Sequence, residues 1–476
     1  ALCTEIVEFF WRHKLPMGKN GAVVVLNYRT GEVLAEVSLP NFDPMNLTSV
    51  SKDSEVYWNR ATQSLYPPGS TFKTASIMVA LEDGYITPDQ NVDTGNGVYM
   101  MHGRPMKDHN WHKGGYGVIN TTQILMYSSN IGVSRLIDDN YHKNPEKFVD
   151  GLYKLGLATP LNLDIPGAAK KPNIRKPNKD NWSKTALAWM SIGYETQVPP
   201  MNTLAFYNAI ANGGKMVKPR FVKSIMKDGE VIEDIPVEVL NPAIASPKTI
   251  EQIQMILEKV VSEGLGKRAG SSQFHVSGKT GTAQVSQGKG GYKSGTMHYL
   301  VSFCGYFPSE SPKYSCIVAI QKSGLPASGG QMAGSVFSEI AERVFAKHLA
   351  KDLKEAKDST AILTPDVKHG DLAATRYILD KINIPISEAA NIKKKGNKPV
   401  WGQITHTPNT NITLTPKEIK NNRVPNVIGM GAKDAVYLLE SLGLKVQLIG
   451  MGKVKSQSIL AGNTLQKGRT IQLRLN

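Results

Sequence analysis

The chain of 476 residues holds only three cysteines, Cys3, Cys304 and Cys316. None sits in a CxxC pair or at Cys/His zinc spacing, which excludes a cysteine-based zinc module. No apolar run approaches the roughly 18 residues that a membrane helix needs. The opening stretch, "ALCTEIVEFFWRHKLPM", lacks the basic start and unbroken apolar core of a secretory leader. Acidic residues are scarce beside basic ones: 40 Asp and Glu against 56 Lys and Arg give a net charge of +16. Such a surplus raises nucleic acid as a partner. The basic residues are spread along the chain, however, and no nucleic-acid motif accompanies them. The charge reads instead as a diffuse positive field suited to phosphates, anionic lipid or carboxylate-bearing polymers.

What is present describes a globular protein of two or more domains. "GAVVVLNYRTGEVLAEVSL" alternates and turns, predicting a hairpin near the start. Residues 119–160 read mostly as helix, "TLAFYNAIANGG" as a helix stopped by glycine, and 248–263 as another. "FHVSGKTGTAQV", "HYLVSFCGYF" and "SCIVAIQKS" are successive strand candidates, followed by a helix over 332–350. Strands thus open and close the region with helices between them. This predicts one mainly antiparallel sheet whose first strands pair with its last, covered by helices. Cys304 and Cys316 lie on two of these strands. They can face each other across a hairpin, or serve as two small core hydrophobes. From Arg423 a compact α+β module begins, with Ala435, Leu438, Leu439 and Leu442 on one helical face.

Three clusters carry chemistry. In "YPPGSTFK", Ser70 and Lys73 are three apart at a predicted helix start, so both face one side. A serine hydroxyl needs a base, and a lysine becomes one when burial or a second cation lowers its pKa. The helix start adds free N–H groups for a developing oxyanion. "MYSSNIG" places Ser128 and Asn130 at a break between helices, where a hydroxyl and an amide can relay a proton and bind a substrate amide. "SGKTGTAQ" puts Lys279, Thr280, Gly281 and Thr282 on a strand. Lys279 is the expected second cation beside Lys73, and Lys279, Thr280 and Thr282 suit a carboxylate. Gly281 is expected to leave room for a substrate backbone. Alone, Ser-x-x-Lys matches an ordinary N-cap serine with a solvated lysine. The specificity lies in the ordered joint occurrence with Ser-x-Asn and Lys-Thr-Gly.

From about Gly21 to Phe345, in "YPPGSTFK", "SSNIG", "SGKTGTAQ" and "FCGYFPSESPKY", the chain resembles the class B penicillin-binding proteins, monofunctional peptidoglycan D,D-transpeptidases. "DTGNG" and "QILMYSSNIG" are more similar to the division-associated branch. "VPNVIGM" and the helix–strand–strand pattern after it resemble one PASTA domain. The resemblance implies a β-lactamase-like transpeptidase fold over 21–347 and a PASTA-like module over 423–476. Residues 348–422 are expected to be a linker with local structure, and 1–20 the remnant of an N-terminal non-catalytic region. It implies Ser70 as nucleophile, Lys73 as base, Ser128 as proton shuttle and Lys279 as the group orienting it. Asn130, Thr280, Gly281 and Thr282 bind substrate, and amides of Ser70 and Thr282 form the oxyanion hole. No cofactor or metal is implied for the reaction. Implied partners are D-Ala-D-Ala stem peptides, β-lactams, a lipid-linked glycosyltransferase and divisome proteins. The implied location is the outer side of a bacterial cytoplasmic membrane, through an N-terminal anchor that this chain does not contain.

Two rival readings remain: a penicillin or muropeptide sensor that is acylated without turnover, and a serine β-lactamase. Against the latter, no glutamate lies between Glu146 and Glu195, where a deacylating base would be expected. In "MHGRPMKDHNWH", His102, Asp108, His109 and His112 make either a zinc candidate or a polar surface loop. Lys170, Lys171, Arg175 and Lys176 read as a solvated basic face.

Overall fold

The structure, a computed structural model, describes residues 18–42, 51, 55–165, 170–180, 182–228, 230–285, 297–352, 367–381, 386–387, 399–406, 412–420 and 422–476. Residues 1–17 of the expected N-terminal remnant, with Cys3, lie outside them. So does all of "KKKGNKP" except Pro399. Two units divide the chain, one through Val344 and one from Phe345.

The first unit opens on the predicted hairpin, β1 (Gly18–Asn27) and β2 (Val33–Leu39). Asn27 closes its turn by accepting from the amides of Arg29 and Thr30. The chain continues through α1 (Lys73–Glu82), a short hairpin of β3 (Val98–Met101) and β4 (Arg104–Lys107), and three helices: α2 (Thr121–Met126), α3 (Asn130–Tyr141) and α4 (Pro145–Lys154). Then come α5 (Pro200–Ala211) and α6 (Pro247–Ser262), strands β5 (Ser277–Val285), β6 (His298–Phe307) and β7 (Tyr314–Ser323), and α7 (Ser335–Asp352). The strands form one antiparallel sheet in the order β5-β6-β7-β1-β2, so the first strands do pair with the last.

Both faces of this sheet are covered, and the pleat decides what each face carries. Cys304 and Tyr306 of β6 join a core to which α1 and α5 contribute. Phe303 and Phe307 point the other way, onto Phe337 of α7 at 4.6 and 5.7 Å between ring centres. Cys304 pairs in register with Ile317, and Cys316 with Gly305. The two cysteines therefore point to opposite faces; both are free and buried. Every residue of α5 is buried, as is α1 from Lys73 to Leu81. Helices buried all round are the central supports of such a domain.

In the second unit, the span expected to be a linker contains a helix, Leu372–Lys381, and a four-stranded sheet. Leu372, Leu379, Ile404, Ile412 and Leu414 form its small core. The C-terminal module follows, with its helix Ala432–Ser441 burying Ala435, Leu438 and Leu439 against a three-stranded sheet. Strands Lys445–Ile449 and Thr470–Leu475 match the sequence pattern. Val454–Gln457 adds an edge strand that its alternation did not announce. No described helix is long and apolar enough to cross a membrane.

Candidate active site

The Ser70 turn is held from several directions. Ser70 lies in a 3-10 turn, Gly69–Thr71, one residue ahead of α1, and Lys73 is the first residue of the α-helix. The expectation of one α-helical turn is corrected, but the consequence survives, because a 3-10 turn also brings positions i and i+3 onto one side. Gly69 has φ +57°, and a Cβ there would fall 2.8 Å from the Ala283 methyl on β5, so only glycine fits the approach of turn to strand. Its amide donates to the Gly193 carbonyl, and the Tyr207 hydroxyl donates to the Thr71 carbonyl at 2.8 Å.

Ser128 sits in the break between α2 and α3 at φ +54°, a backbone state that serine seldom adopts and that recurs at functional sites. Ser129 caps α3, its hydroxyl accepting from the Gly132 amide at 2.9 Å. The whole cap rests on Asp108, which is almost fully buried. One oxygen of Asp108 accepts from the Ser129 hydroxyl at 2.7 Å. The other accepts from the amides of Asn130 and Ile131 at 2.6 and 3.1 Å. The Asn130 side-chain amide donates to the Lys107 carbonyl at 2.7 Å, which turns its oxygen toward Lys73.

Lys73 joins the clusters. Its Nζ donates to the Ser128 carbonyl at 2.7 Å, to Ser128 Oγ at 3.2 Å and to Asn130 Oδ1 at 2.6 Å. Burial pulls its pKa from an ordinary 10.5 to about 7, opposed by the negative charge of Asp108. Lys279 was expected to supply this depression as a second cation. The structure assigns it to desolvation, and the repulsion acts on Lys279, which burial and Lys73 together hold far below the usual lysine range. Lys279 donates to the carbonyl and hydroxyl of its neighbour Thr280 at 3.2 and 3.4 Å.

Ser70, Ser128, Asn130, Thr280 and Thr282 line one cleft of about 510 Å³, together with His109, Tyr194 and Gln284. β5 is an edge of the sheet, and the Gln284 amide donates outward to the Tyr194 hydroxyl at 3.2 Å. Amides on one side of an antiparallel strand recur every second residue. Those of Thr280 and Thr282 therefore also face away from β6. Thr282 Oγ1 accepts from the Gly329 amide at 3.1 Å, leaving its hydroxyl proton available to a ligand.

Gly281 requires a second correction. A Cβ there would meet Ser302 Oγ of β6 at 2.3 Å and the Thr71 methyl at 3.0 Å, so the missing side chain makes room for the neighbouring strand's serine and the nucleophile's own turn, and not for a substrate. Gly281→Ala is expected to overpack this contact, cost about 1–3 kcal/mol and lower the urea midpoint. An unchanged midpoint in equilibrium unfolding would contradict this.

Residues 21–342 match the family described as the penicillin binding protein transpeptidase domain, and residues 422–476 match the PASTA domain. The chain belongs to the penicillin-binding transpeptidase family. Penicillin-binding protein PbpB of Mycolicibacterium smegmatis is 30% identical over 343 residues, covering 69% of this chain and 50% of the relative. Peptidoglycan D,D-transpeptidase FtsI of Buchnera aphidicola is 28% identical over 331 residues, 68% of this chain and 54% of the relative. The crystal structure of penicillin-binding protein 3 from Mycobacterium tuberculosis complexed with ampicillin superposes with a TM-score of 0.63 at 27% identity, covering 73% of this chain and 76% of that one. The chain spans about half the length of the curated relatives it matches.

The four residues of the zinc candidate are not gathered in this transpeptidase domain. Asp108 is taken by the cap, His109 faces the cleft with burial holding its imidazole below the ordinary 6.5, and His102 turns to Asp138. Nor is Asp108 part of a surface loop. Sequence reasoning missed its role because a cap supplied from 22 residues upstream leaves no local signature. Asp108→Asn should cut penicillin acylation by up to about a hundredfold through misplaced Ser128 and Asn130. It should also move the acid limb of the pH–rate profile to lower pH, because Asp108 raises the Lys73 pKa. A loss of rate without movement of that limb would reduce Asp108 to packing. In the basic loop, Lys176 pairs with Asp150 at 2.7 Å and Arg175 with Glu195.

Proposed function

We propose that this chain carries the catalytic domain of a serine D,D-transpeptidase that cross-links peptidoglycan stem peptides, in septal wall synthesis. One observation carries the reading: a fully buried Lys73, poised near neutral pH, is bonded to both Ser128 and Asn130 beneath the Ser70 turn. An ammonium fills three acceptors with its three protons. Losing one proton frees a lone pair for the Ser70 hydroxyl. Ser70 Oγ then bonds to the carbonyl carbon of the penultimate D-Ala, and its proton passes to Lys73. The C–N bond breaks as Lys73 returns that proton to Ser128, whose own proton passes to the leaving D-Ala amine. The amine of a neighbouring stem peptide attacks the ester and restores Ser70.

Asn130 binds the donor amide in this scheme. Lys279 orients Ser128 and, with Thr280 and Thr282, receives the terminal carboxylate. The amide of Ser70 and the outward amide of Thr282 stabilise the oxyanion in this scheme. The Buchnera relative's name and the ampicillin complex of the Mycobacterium tuberculosis protein support the same chemistry. The "DTGNG" and "QILMYSSNIG" segments favour the division branch. The enzyme would act outside the cytoplasmic membrane of a bacterium, with a lipid-linked glycosyltransferase and divisome proteins as partners. The test is release of D-Ala from a D-Ala-D-Ala stem peptide with an amine acceptor present. Cross-linked product is expected. Acylation by penicillin with neither D-Ala release nor cross-linking would leave a sensor.

A further inference from the structure

The hairpin β3–β4 is pinned to both ends of α3. At the start of the helix stands Asp108, just after β4, and midway the Arg135 guanidinium lies 5.1 Å from the Tyr99 ring centre. At the far end, His102 from the hairpin tip meets Asp138 and His142. His102 Nε2 lies 2.9 Å from Asp138 Oδ2, and His142 Nδ1 lies 3.3 Å from Asp138 Oδ1. The two imidazoles stack 4.7 Å apart, at 17° between planes. One ligand atom from each of the three residues falls within 4.8 Å of the others. The hairpin tip itself asks for Asn or Gly, since His102 has φ +48° and Gly103 has φ +82°.

We propose that His102, Asp138 and His142 form a binding site for a divalent transition-metal ion of the zinc class, outside the catalytic cleft. Two imidazole nitrogens and a carboxylate oxygen are a donor set that zinc accepts, and tetrahedral bonds of about 2.0–2.1 Å set ligand atoms roughly 3.3 Å apart. The two His–Asp distances, each to its own oxygen of the carboxylate, lie at or a few tenths of an ångström below that separation. Asp138 and His142 are four apart at the end of a helix, so they share its face. Binding replaces the ring N–H groups that now face the carboxylate. Each ring proton moves to the other nitrogen, and the lone pair goes to the metal. Solvent completes the coordination, because His142 is half exposed while Asp138 is largely covered. The ion would fasten the hairpin tip to α3, whose first residue is Asn130, and so stiffen the frame that holds Ser128 and Asn130.

The experiment uses the full chain, stripped with a chelator and titrated with Zn2+ by calorimetry, with Co2+ as a spectroscopic probe. One equivalent of Zn2+ is expected to bind and to raise the melting temperature by mass action. Co2+ should give the visible absorption of a low-coordinate nitrogen and oxygen site. His102→Ala and His142→Ala should each weaken binding at least tenfold, whereas His112→Ala should leave it unchanged. Asp138→Asn keeps the shape, and should also lose affinity. No Zn2+ binding by the wild-type chain would overturn the site. So would binding that persists in the His102→Ala, His142→Ala double variant. Neither result bears on acylation of Ser70, which is read separately with penicillin.

Discussion

Penicillin treatment of the wild-type chain is expected to add the mass of one intact antibiotic, and Ser70→Ala to add none. The full mass is retained because the serine oxygen bonds to the lactam carbonyl while the ring C–N bond opens, and its proton passes to the ring nitrogen. No atom departs. Ser70 is the hydroxyl placed on the rigid turn between β5 and α1, half-buried at the cleft. Replacing it removes the bond-forming atom and disturbs little else, so the folded fraction should match wild type. The loss should be on the order of 10⁴-fold or more, since a nucleophile works as a unit with its base. A mass gain in the Ser70→Ala protein would move the nucleophile elsewhere.

The second large effect belongs to Lys73. Below about pH 7 it is an ammonium and cannot take the serine proton; above that it is neutral and can. The acylation rate constant kcat/KM, read with a fluorescent penicillin, should therefore rise about tenfold per pH unit up to 7 and then level off. Lys73→Met keeps the stem but removes the base, and leaves Asn130 and Ser128 without their donor. Acylation should fall by about 10²–10⁴-fold and the limb near pH 7 should vanish. If the variant kept the wild-type pH profile, another group would be the base.

Much of the fold could be read from local pattern. Alternation located β1 and β2, continuous apolar runs located β6 and β7, and a glycine stop ended α5. The three clusters named the residues that the structure gathers at the cleft, Lys73 and Lys279 beneath it. What local pattern missed shares one feature. Asp108 caps α3 from 22 residues away, Gly281 touches a turn some 210 residues earlier, and His102 reaches Asp138 across 36. None of these partners falls within one helical turn or one strand pair.

The amino-acid order by itself determined which functional groups this chain has and where most strands and helices of its first unit lie. Side-chain periodicity and turn chemistry act within a few covalent bonds, so they are written locally. The protonation of Lys73 was decided by the tertiary structure, and so was its depression by burial rather than by a second cation. Desolvation depends on every atom packed around an amine, and those atoms come from the whole length of the domain.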